Sequence, residues 1–189
     1  MKYKEDMRIV RTRKHLSSTI IQMMQTMPID KISVIDICKE AIVNRATFYA
    51  HFEDKYHLLS FALEELKDEI FASLNENFTA DNTKDTILEI AYATFNFVKD
   101  HKGTIIKLLD HNRNEKVIST IKDSLARTVR RQLQKYNTTF PDNVPIALTS
   151  VAYAGALIDL CIWYLDNSDK LNEDEMHSHL TTLFTSIHN

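Results

Sequence analysis

Glycine, proline and cysteine are all scarce in this chain of 189 residues, which has 2 Gly, 3 Pro and 2 Cys. Tight hairpin turns need glycine and proline for their backbone angles, so an all-β fold is not expected. Two glycines also cannot form the phosphate-binding loop of a nucleotide site. Cys38 and Cys161 lie far apart without metal-ligand spacing, which indicates the free thiols of a cytoplasmic protein.

No secretory signal is expected, because residues 1–6 contain no apolar stretch. The net charge is only −3, but its sign changes along the chain. Residues 1–57 carry 10 Lys and Arg against 7 Asp and Glu, whereas residues 58–189 carry 13 against 19. Six basic residues near the start fit either a phosphate-facing arm or the solvated start of a basic helix. They are Lys2, Lys4, Arg8, Arg11, Arg13 and Lys14.

Apolar residues that recur at helical spacing predict an all-α fold of about nine helices. The first helix is expected over about residues 8–27, and it should end before Pro28, because the residue preceding a proline disfavours helical angles. Its predicted buried stripe comprises Leu16, Ile20, Met23 and Met27.

Polar residues before the next apolar runs predict where three more helices begin. Ser33, with Asp36 three positions later, resembles a capping box. Asn44 is typical of the N-cap of a short third helix ending near His51, and Asp54 caps a long fourth helix. About three residues separate the second helix from the third, and so short a turn is typical of a helix-turn-helix.

These two short helices have an apolar underside and an outward face of modest size. The underside comprises Val34, Ile37, Ala41, Val43, Phe48 and Phe52. The outward face comprises Arg45, Ala46, Thr47, Tyr49 and Ala50. Side chains of this size can enter a major groove about 12 Å wide, so the pattern favours DNA binding.

Residues 32–55, ISVIDICKEAIVNRATFYAHFEDK, resemble the N-terminal DNA-binding domain of TetR-family transcriptional regulators. The most specific part is Thr-Phe-Tyr-x-His-Phe-x-x-Lys at residues 47–55. The resemblance implies a three-helix helix-turn-helix domain over residues 1–57 and a helical ligand-binding and dimerisation domain over residues 58–189. Ile42 departs from the pattern, since most members have glycine there and a β-branched residue is costly at positive φ.

The resemblance also implies which residues contact DNA. Ser33 would lie near a phosphate at a helix N-terminus, while Arg45 and Thr47 would reach base edges. Tyr49 would lie near the sugar-phosphate backbone; His51 would lie there too or pack beneath its helix. Lys55 would neutralise a phosphate. The full expected set is Ser33, Asn44, Arg45, Ala46, Thr47, Tyr49, His51 and Lys55.

Five further helices are predicted at about residues 86–99, 104–109, 115–136, 143–165 and 173–187. Residues 146–165 are the most apolar, yet Asp159 among them makes a membrane span unfavourable. A helix that is apolar on all sides needs cover from neighbours and from a second subunit, which predicts a homodimer. The expected dimer residues are Ala152, Gly155, Ala156, Leu180 and Phe184.

A pocket for a small-molecule effector among the C-terminal helices is also implied by the resemblance. Its candidate residues are Tyr92, Phe95, Tyr153, Asp159 and Trp163. For any one aromatic residue at helical spacing, core packing is the commoner interpretation. A carboxylate in an apolar stretch needs a partner, which for Asp159 could be a buried Lys or Arg, the second subunit or the ligand.

Metal, cofactor and catalytic sites are not expected. His177 and His179 are two positions apart and point to different helix faces, unlike a helical metal pair. No Ser, His and acid set has the spacing of a triad. We interpret the chain as a cytoplasmic, dimeric, sequence-specific regulator, a repressor of inverted-repeat operators that a small molecule releases. The alternative is a helix-turn-helix co-regulator whose C-terminal domain docks a protein partner.

Overall fold

A computed structural model of the chain describes residues 7–77, 83–135 and 144–186. These residues form nine α-helices and one 3-10 turn, with no strand among them. The helices are α1 Met7–Met24, α2 Val34–Glu40, α3 Arg45–Tyr49, α4 Lys55–Asn77, α5 Thr83–Asp100, α6 Lys102–Asn112, α7 Glu115–Lys135, α8 Ile146–Asp166 and α9 Glu173–Ser186, and the 3-10 turn is Ile29–Lys31. The predicted all-α fold is confirmed.

Helix α1 ends three residues earlier than predicted. Met24 is its last residue and is fully buried, whereas Met27 is 37% exposed in the turn before Pro28. The buried stripe therefore continues through Leu16, Ile20 and Met24 rather than through Met27. A step of three from Ile20 to Met23 and a step of four to Met24 both keep to one helical face, so the sequence alone did not distinguish them; Met23 is half-buried.

The chain divides into two compact units, and neither is a continuous segment. Unit 1 comprises Met1–Glu65 and Gly103–Thr120, and unit 2 comprises Leu66–Lys102 and Ile121–Asn189. Unit 1 thus combines the helix-turn-helix region with α6 and the start of α7. The boundary after residue 57, between a DNA-binding domain and a ligand-binding and dimerisation domain, stays a prediction.

The core of unit 1 lies beneath α2 and α3 and is closed by aromatic rings. Phe48 and Phe52 are buried with ring centroids 5.8 Å apart, and Phe61 of α4 packs 5.4 Å from Phe52. The Arg13 guanidinium lies 4.2 Å from the centre of the Phe61 ring. This part of the basic N-terminal segment therefore contributes to packing; Lys2 and Lys4 fall outside the described residues.

A buried amide joins α6 to the end of α1. Asn112 is fully buried, and its Oδ1 accepts a hydrogen bond of 2.7 Å from the backbone N–H of Ile29. Its Nδ2 donates to the carbonyl oxygens of Met24, at 2.8 Å, and Leu108, at 2.9 Å. Both ends of the amide are thus satisfied, as a buried polar group requires. Sequence reasoning missed this contact, because Met24 and Ile29 lie more than 80 positions away in the chain.

Unit 2 is held by packing among α5, α8 and α9. Phe95 is fully buried, with Tyr164 and His177 4.9 Å and 5.3 Å from its ring. Tyr153 stacks on Phe184 at 5.6 Å. These aromatic residues form core contacts. Core packing was one of the two interpretations of their helical spacing, the other being the lining of a pocket.

Two of the expected dimer residues are core residues instead. Leu180 is fully buried and Phe184 is 2% exposed, both within one copy of the chain. A second subunit cannot contact side chains that their own subunit already covers, so the assignment of these two residues to the dimer interface was wrong. Ala152 and Ala156 are exposed and Gly155 is half-buried, so the part of the prediction on α8 stays open.

The outer face of α8 keeps large apolar side chains exposed. Leu148 and Val151 are each 61% exposed, and Trp163 is 48% exposed. By length and composition α8 could cross a membrane, while Tyr153, Ala154 and Leu157 on its other face are buried in unit 2.

Asp159 is neither buried nor in contact with the aromatic core. Its carboxylate pairs with the Lys122 ammonium of α7 at 2.7 Å and 2.9 Å, and its side chain is 63% exposed. The expectation that Asp159 and the exposed Trp163 line an internal pocket is therefore corrected. Of the three partners considered for Asp159, the structure supplies a lysine, at the surface.

Candidate nucleic-acid interface

Helix α2 begins with the predicted capping box. Ser33 Oγ accepts a hydrogen bond of 3.1 Å from the backbone N–H of Asp36, and Asp36 Oδ2 accepts one of 3.0 Å from the backbone N–H of Ser33. The Ser33 hydroxyl donates to the same carboxylate, and these bonds hold the pKa of Asp36 below its usual value. Ser33 is exposed, as a phosphate contact needs, but its O–H is already engaged.

The turn between α2 and α3 is a Schellman motif. The N–H of Ile42 donates to the carbonyl of Lys39 at 3.2 Å, and the N–H of Val43 donates to that of Cys38 at 3.0 Å. Such a turn places the residue after the C-cap in the left-handed region, where glycine is usual. Ile42 occupies that place with φ of 53°, so the glycine-type backbone is retained despite the β-branched side chain.

Helix α3 is short and is fixed from its first turn. Asn44 Oδ1 accepts hydrogen bonds from the backbone N–H of Thr47 at 2.7 Å and from the Thr47 hydroxyl at 2.9 Å, which confirms the predicted N-cap. Phe48 is fully buried, so the opposite side of this helix must face outward. The exposed residues there are Asn44, Arg45, Ala46, Tyr49 and Ala50.

Arg45 and Tyr49 are the two large side chains of this outward face. The guanidinium carbon of Arg45 lies 6.0 Å from the centre of the Tyr49 ring, and Tyr49 is 51% exposed. The Tyr49 ring also packs edge-on against Phe48 at 5.5 Å. A buried ring thus supports an exposed one, and small alanines on either side leave space for a partner surface.

His51 is half-buried at the end of this segment. Its ring lies 6.4 Å from that of Phe52 at 69°, an edge-on contact with the core. This geometry agrees with packing beneath the helix and leaves part of the ring accessible. Its predicted place near a sugar-phosphate backbone stays a prediction.

Lys55 holds the 3-10 turn instead of projecting toward a ligand. Its Nζ donates to the carbonyl oxygens of Ile29 at 2.7 Å, Asp30 at 3.2 Å and Ile32 at 2.8 Å. An ammonium has three N–H donors, and all of them are used inside unit 1. The role expected of Lys55, neutralising a phosphate, is corrected to positioning the segment that leads into Ser33.

A second polar group, which sequence reasoning missed, supports the same turn. The Tyr56 hydroxyl donates to Asp30 Oδ1 at 2.6 Å, and Asn114 donates to the other carboxylate oxygen at 3.3 Å. Burial and the adjacent carboxylate raise the pKa of Tyr56 to about 12. Lys116 lies 3.4 Å from the centre of the Tyr56 ring. No local motif signals these contacts.

The sequences of two protein families match parts of the chain. Residues 18–60 match bacterial regulatory proteins of the tetR family, and residues 85–186 match a transcriptional regulator C-terminal region. The nucleoid occlusion factor SlmA of Shewanella denitrificans is 29% identical over 79 residues, which is 42% of this chain and 39% of that protein. The match thus spans about two fifths of the relative's length.

Solved structures resemble the fold over nearly its whole length. A TetR transcriptional regulator from Rhodococcus sp. RHA1 has a TM-score of 0.64 with 13% identity, covering 94% of this chain and 96% of that one. A TetR transcriptional regulator from Streptococcus agalactiae has a TM-score of 0.61 with 20% identity, covering 95% and 97%. At these identities the likeness supports the fold.

Proposed function

Because this chain belongs to the TetR family and is a DNA-binding transcriptional regulator, we propose that it acts as a dimeric repressor of an inverted-repeat operator and is released by a small molecule. The observation that carries the proposal is the outward face of α3, formed by Arg45, Ala46, Tyr49 and Ala50. A buried Phe48 behind it and the Asn44 cap before it fix its orientation.

Within this face Arg45 is assigned to base recognition. Its guanidinium fork matches the O6 and N7 acceptors of guanine in the major groove. Thr47 donates its hydroxyl hydrogen to Asn44, so it would meet a base as a hydrogen-bond acceptor or through its methyl group. Ser33, Tyr49 and His51 would contact the sugar-phosphate backbone and set the register of the helix.

The exposed face of α8 is assigned to a second copy of the chain. Two recognition helices must be about 34 to 36 Å apart to enter successive major grooves, which a two-fold dimer provides. Ala152, Gly155 and Ala156 would allow close approach of the two α8 helices, and Leu148 and Val151 would be covered. A cytoplasmic location follows from this role.

An effector is assigned to the interior of unit 2. The Thr94 hydroxyl of α5 is buried and lacks a hydrogen-bond partner among the described residues. A buried unpaired hydroxyl costs about 1 to 3 kcal/mol, which a polar group of a ligand would recover. Phe95, Tyr92 and Tyr153 remain the proposed aromatic lining, and a ligand would have to displace their contacts.

The alternative function is a co-regulator that docks a protein partner on unit 2. The exposed apolar side chains of Leu148, Val151 and Trp163 favour it, since protein interfaces are enriched in such groups. A homodimer that covers Leu148 and Val151 would leave a heterologous partner only Trp163 of these three side chains. The mass of the purified protein in solution therefore discriminates between the two functions.

Selection of bound fragments from random duplex DNA tests the proposal. We expect palindromic sites to be enriched, whereas binding that is equal for all sequences would contradict the proposal. On the selected site Arg45→Ala should lose about 1 to 3 kcal/mol at one base position of each half-site. If Arg45→Ala lost the same affinity on every sequence, Arg45 would not recognise a base.

A further inference from the structure

Ile42 has a backbone conformation that is unfavourable for a β-branched residue. It is the non-glycine residue with positive φ among those described, and the Schellman motif requires that angle. Its side chain is 92% exposed, more than the other large apolar residues described. A single exposed isoleucine needs no explanation, but an exposed isoleucine in the left-handed region does.

Backbone strain of this kind is held by the surrounding structure and clusters at active sites, ligand clamps and switch regions. The side chain projects from the turn that directly precedes the recognition helix, two positions before the Asn44 cap. Ile42 is thus exposed in the same short segment as Arg45, Ala46 and Tyr49. A surface that meets DNA through α3 brings the preceding turn close to the same duplex.

We propose that Ile42 is a specificity-determining residue that packs against the C5 methyl group of a thymine in each operator half-site. That methyl group is the apolar feature which the bases present in the major groove, and aliphatic side chains contact it. The inference rests on the proposed function and adds a base preference, thymine, beside the guanine assigned to Arg45.

One substitution should move stability and operator binding in opposite directions. Ile42→Gly removes the strain, so Tm should rise by about 2 to 4 °C, the shift produced by about 1 kcal/mol in a protein of this size. Its affinity for the selected operator should fall about fivefold. A residue with only a structural role would not gain stability and lose binding together.

Deoxyuridine scanning identifies the partner atom, because replacing thymine by deoxyuridine removes only the methyl group. For the wild-type chain we expect one thymine per half-site at which this replacement weakens binding about fivefold. Ile42→Gly should show no further loss with that duplex. Ile42→Val keeps a branched aliphatic side chain and should keep most of the discrimination between the two bases.

The outcomes separate this inference from the proposed function. Failure to select any operator would contradict the proposed function itself. If a palindrome is selected and Ile42→Gly binds it as tightly as the wild type does, the role of Ile42 is overturned and the proposed function is not. The thymine assignment would be overturned by two results together. The affinity of Ile42→Gly would be reduced equally on thymine and deoxyuridine duplexes, and the affinity of the wild type would not change when thymine is replaced.

Discussion

In unit 1 polar side chains bond to backbone groups of turns and helix ends, whereas the long-range polar contacts described in unit 2, such as Asn96 with His177, join two side chains. In unit 1 Asn112, Lys55 and Asn44 all bond to backbone groups at the ends of helices or in turns. In unit 2 the central contacts are Phe95 with Tyr164 and Tyr153 with Phe184. Directional bonds specify angles and apolar packing specifies volume, so unit 1 is better suited to holding a recognition surface in one geometry.

The exposed surfaces differ in the same sense. On α3 unit 1 presents Arg45 and Tyr49 between alanines, and the exposed Ile42 lies just before them, so this face combines polar and apolar groups. Unit 2 presents Leu148, Val151 and Trp163, which lower the free energy of the chain only when they are covered. The comparison assigns sequence recognition to the first unit and assembly to the second, and each of the following substitutions tests one side of it.

The largest effect is expected in unit 1, at Asn112. Asn112→Leu fills a similar volume but leaves the Met24 carbonyl and the Ile29 N–H buried without partners. Each such group costs about 1 to 3 kcal/mol, so the free energy of unfolding should fall by about 3 kcal/mol in urea denaturation. In unit 2 Asn167 is half-buried, but its hydrogen bond to the Trp163 carbonyl is exposed to solvent, so Asn167→Ala should change stability by less than about 0.5 kcal/mol. Equal losses would remove the contrast between the units.

Next in size is an effect on assembly, at Gly155 of α8. A Cβ at this position meets no atom within 4 Å, so Gly155→Leu should leave the fold of one subunit intact. If two α8 helices approach there, the added side chain separates them, and dimer dissociation should become about a hundredfold more favourable, or about 2.7 kcal/mol. Analytical ultracentrifugation measures this shift.

The control for Gly155 is the other glycine of the chain. Gly103 lies in α6 of unit 1, and a Cβ there also meets nothing within 4 Å. Gly103→Leu should therefore leave the oligomeric state unchanged. If both variants dissociate alike, or neither does, the exposed face of α8 is not the dimer interface.

Lys55 tests whether unit 1 uses its polar groups for its own backbone. Lys55→Met keeps the aliphatic stem and removes three hydrogen bonds from a charged donor, so the free energy of unfolding should fall by about 2 kcal/mol. The salt dependence of operator binding should keep its slope, because no phosphate contact is lost. If the slope for Lys55→Met were smaller by about 0.9, Lys55 would contact a phosphate after all. Lys31→Met, at an exposed lysine in the same turn, controls for stability.

Local signals explain what could be predicted from the sequence. The capping residues Ser33, Asn44 and Asp54 bond to groups within three positions of themselves, and all three were predicted. The short turn before α3 and the burial of Phe48 and Phe52 followed from spacing alone. These features define the candidate interface, which is why the sequence described unit 1 well.

Features that depend on distant residues could not be predicted. The acceptors of Lys55 lie 23 to 26 positions away, and those of Asn112 lie up to 88 positions away. Periodicity identifies the buried face of a helix but not which copy of the chain covers it, so Leu180 and Phe184 were assigned to the wrong partner. The same limit applies to Asp159, whose partner Lys122 lies on another helix.

The smallest expected effect concerns the capping box of α2, where a carboxylate of unit 1 is fully exposed. Hydrogen bonds from the Ser33 side chain and backbone lower the pKa of Asp36 below 3.8, so the folded state favours the charged form. This contribution is present above the unfolded pKa and is lost as the pH falls through the lower folded pKa. As the pH falls from about 5 through this lowered pKa, the wild type should therefore lose slightly more Tm than Asp36→Asn, which cannot titrate. Ser33→Ala removes the main cause of the shift and should reduce the same difference. Identical pH profiles for all three proteins would mean that this cap contributes through geometry alone, unlike the charged bonds of Lys55.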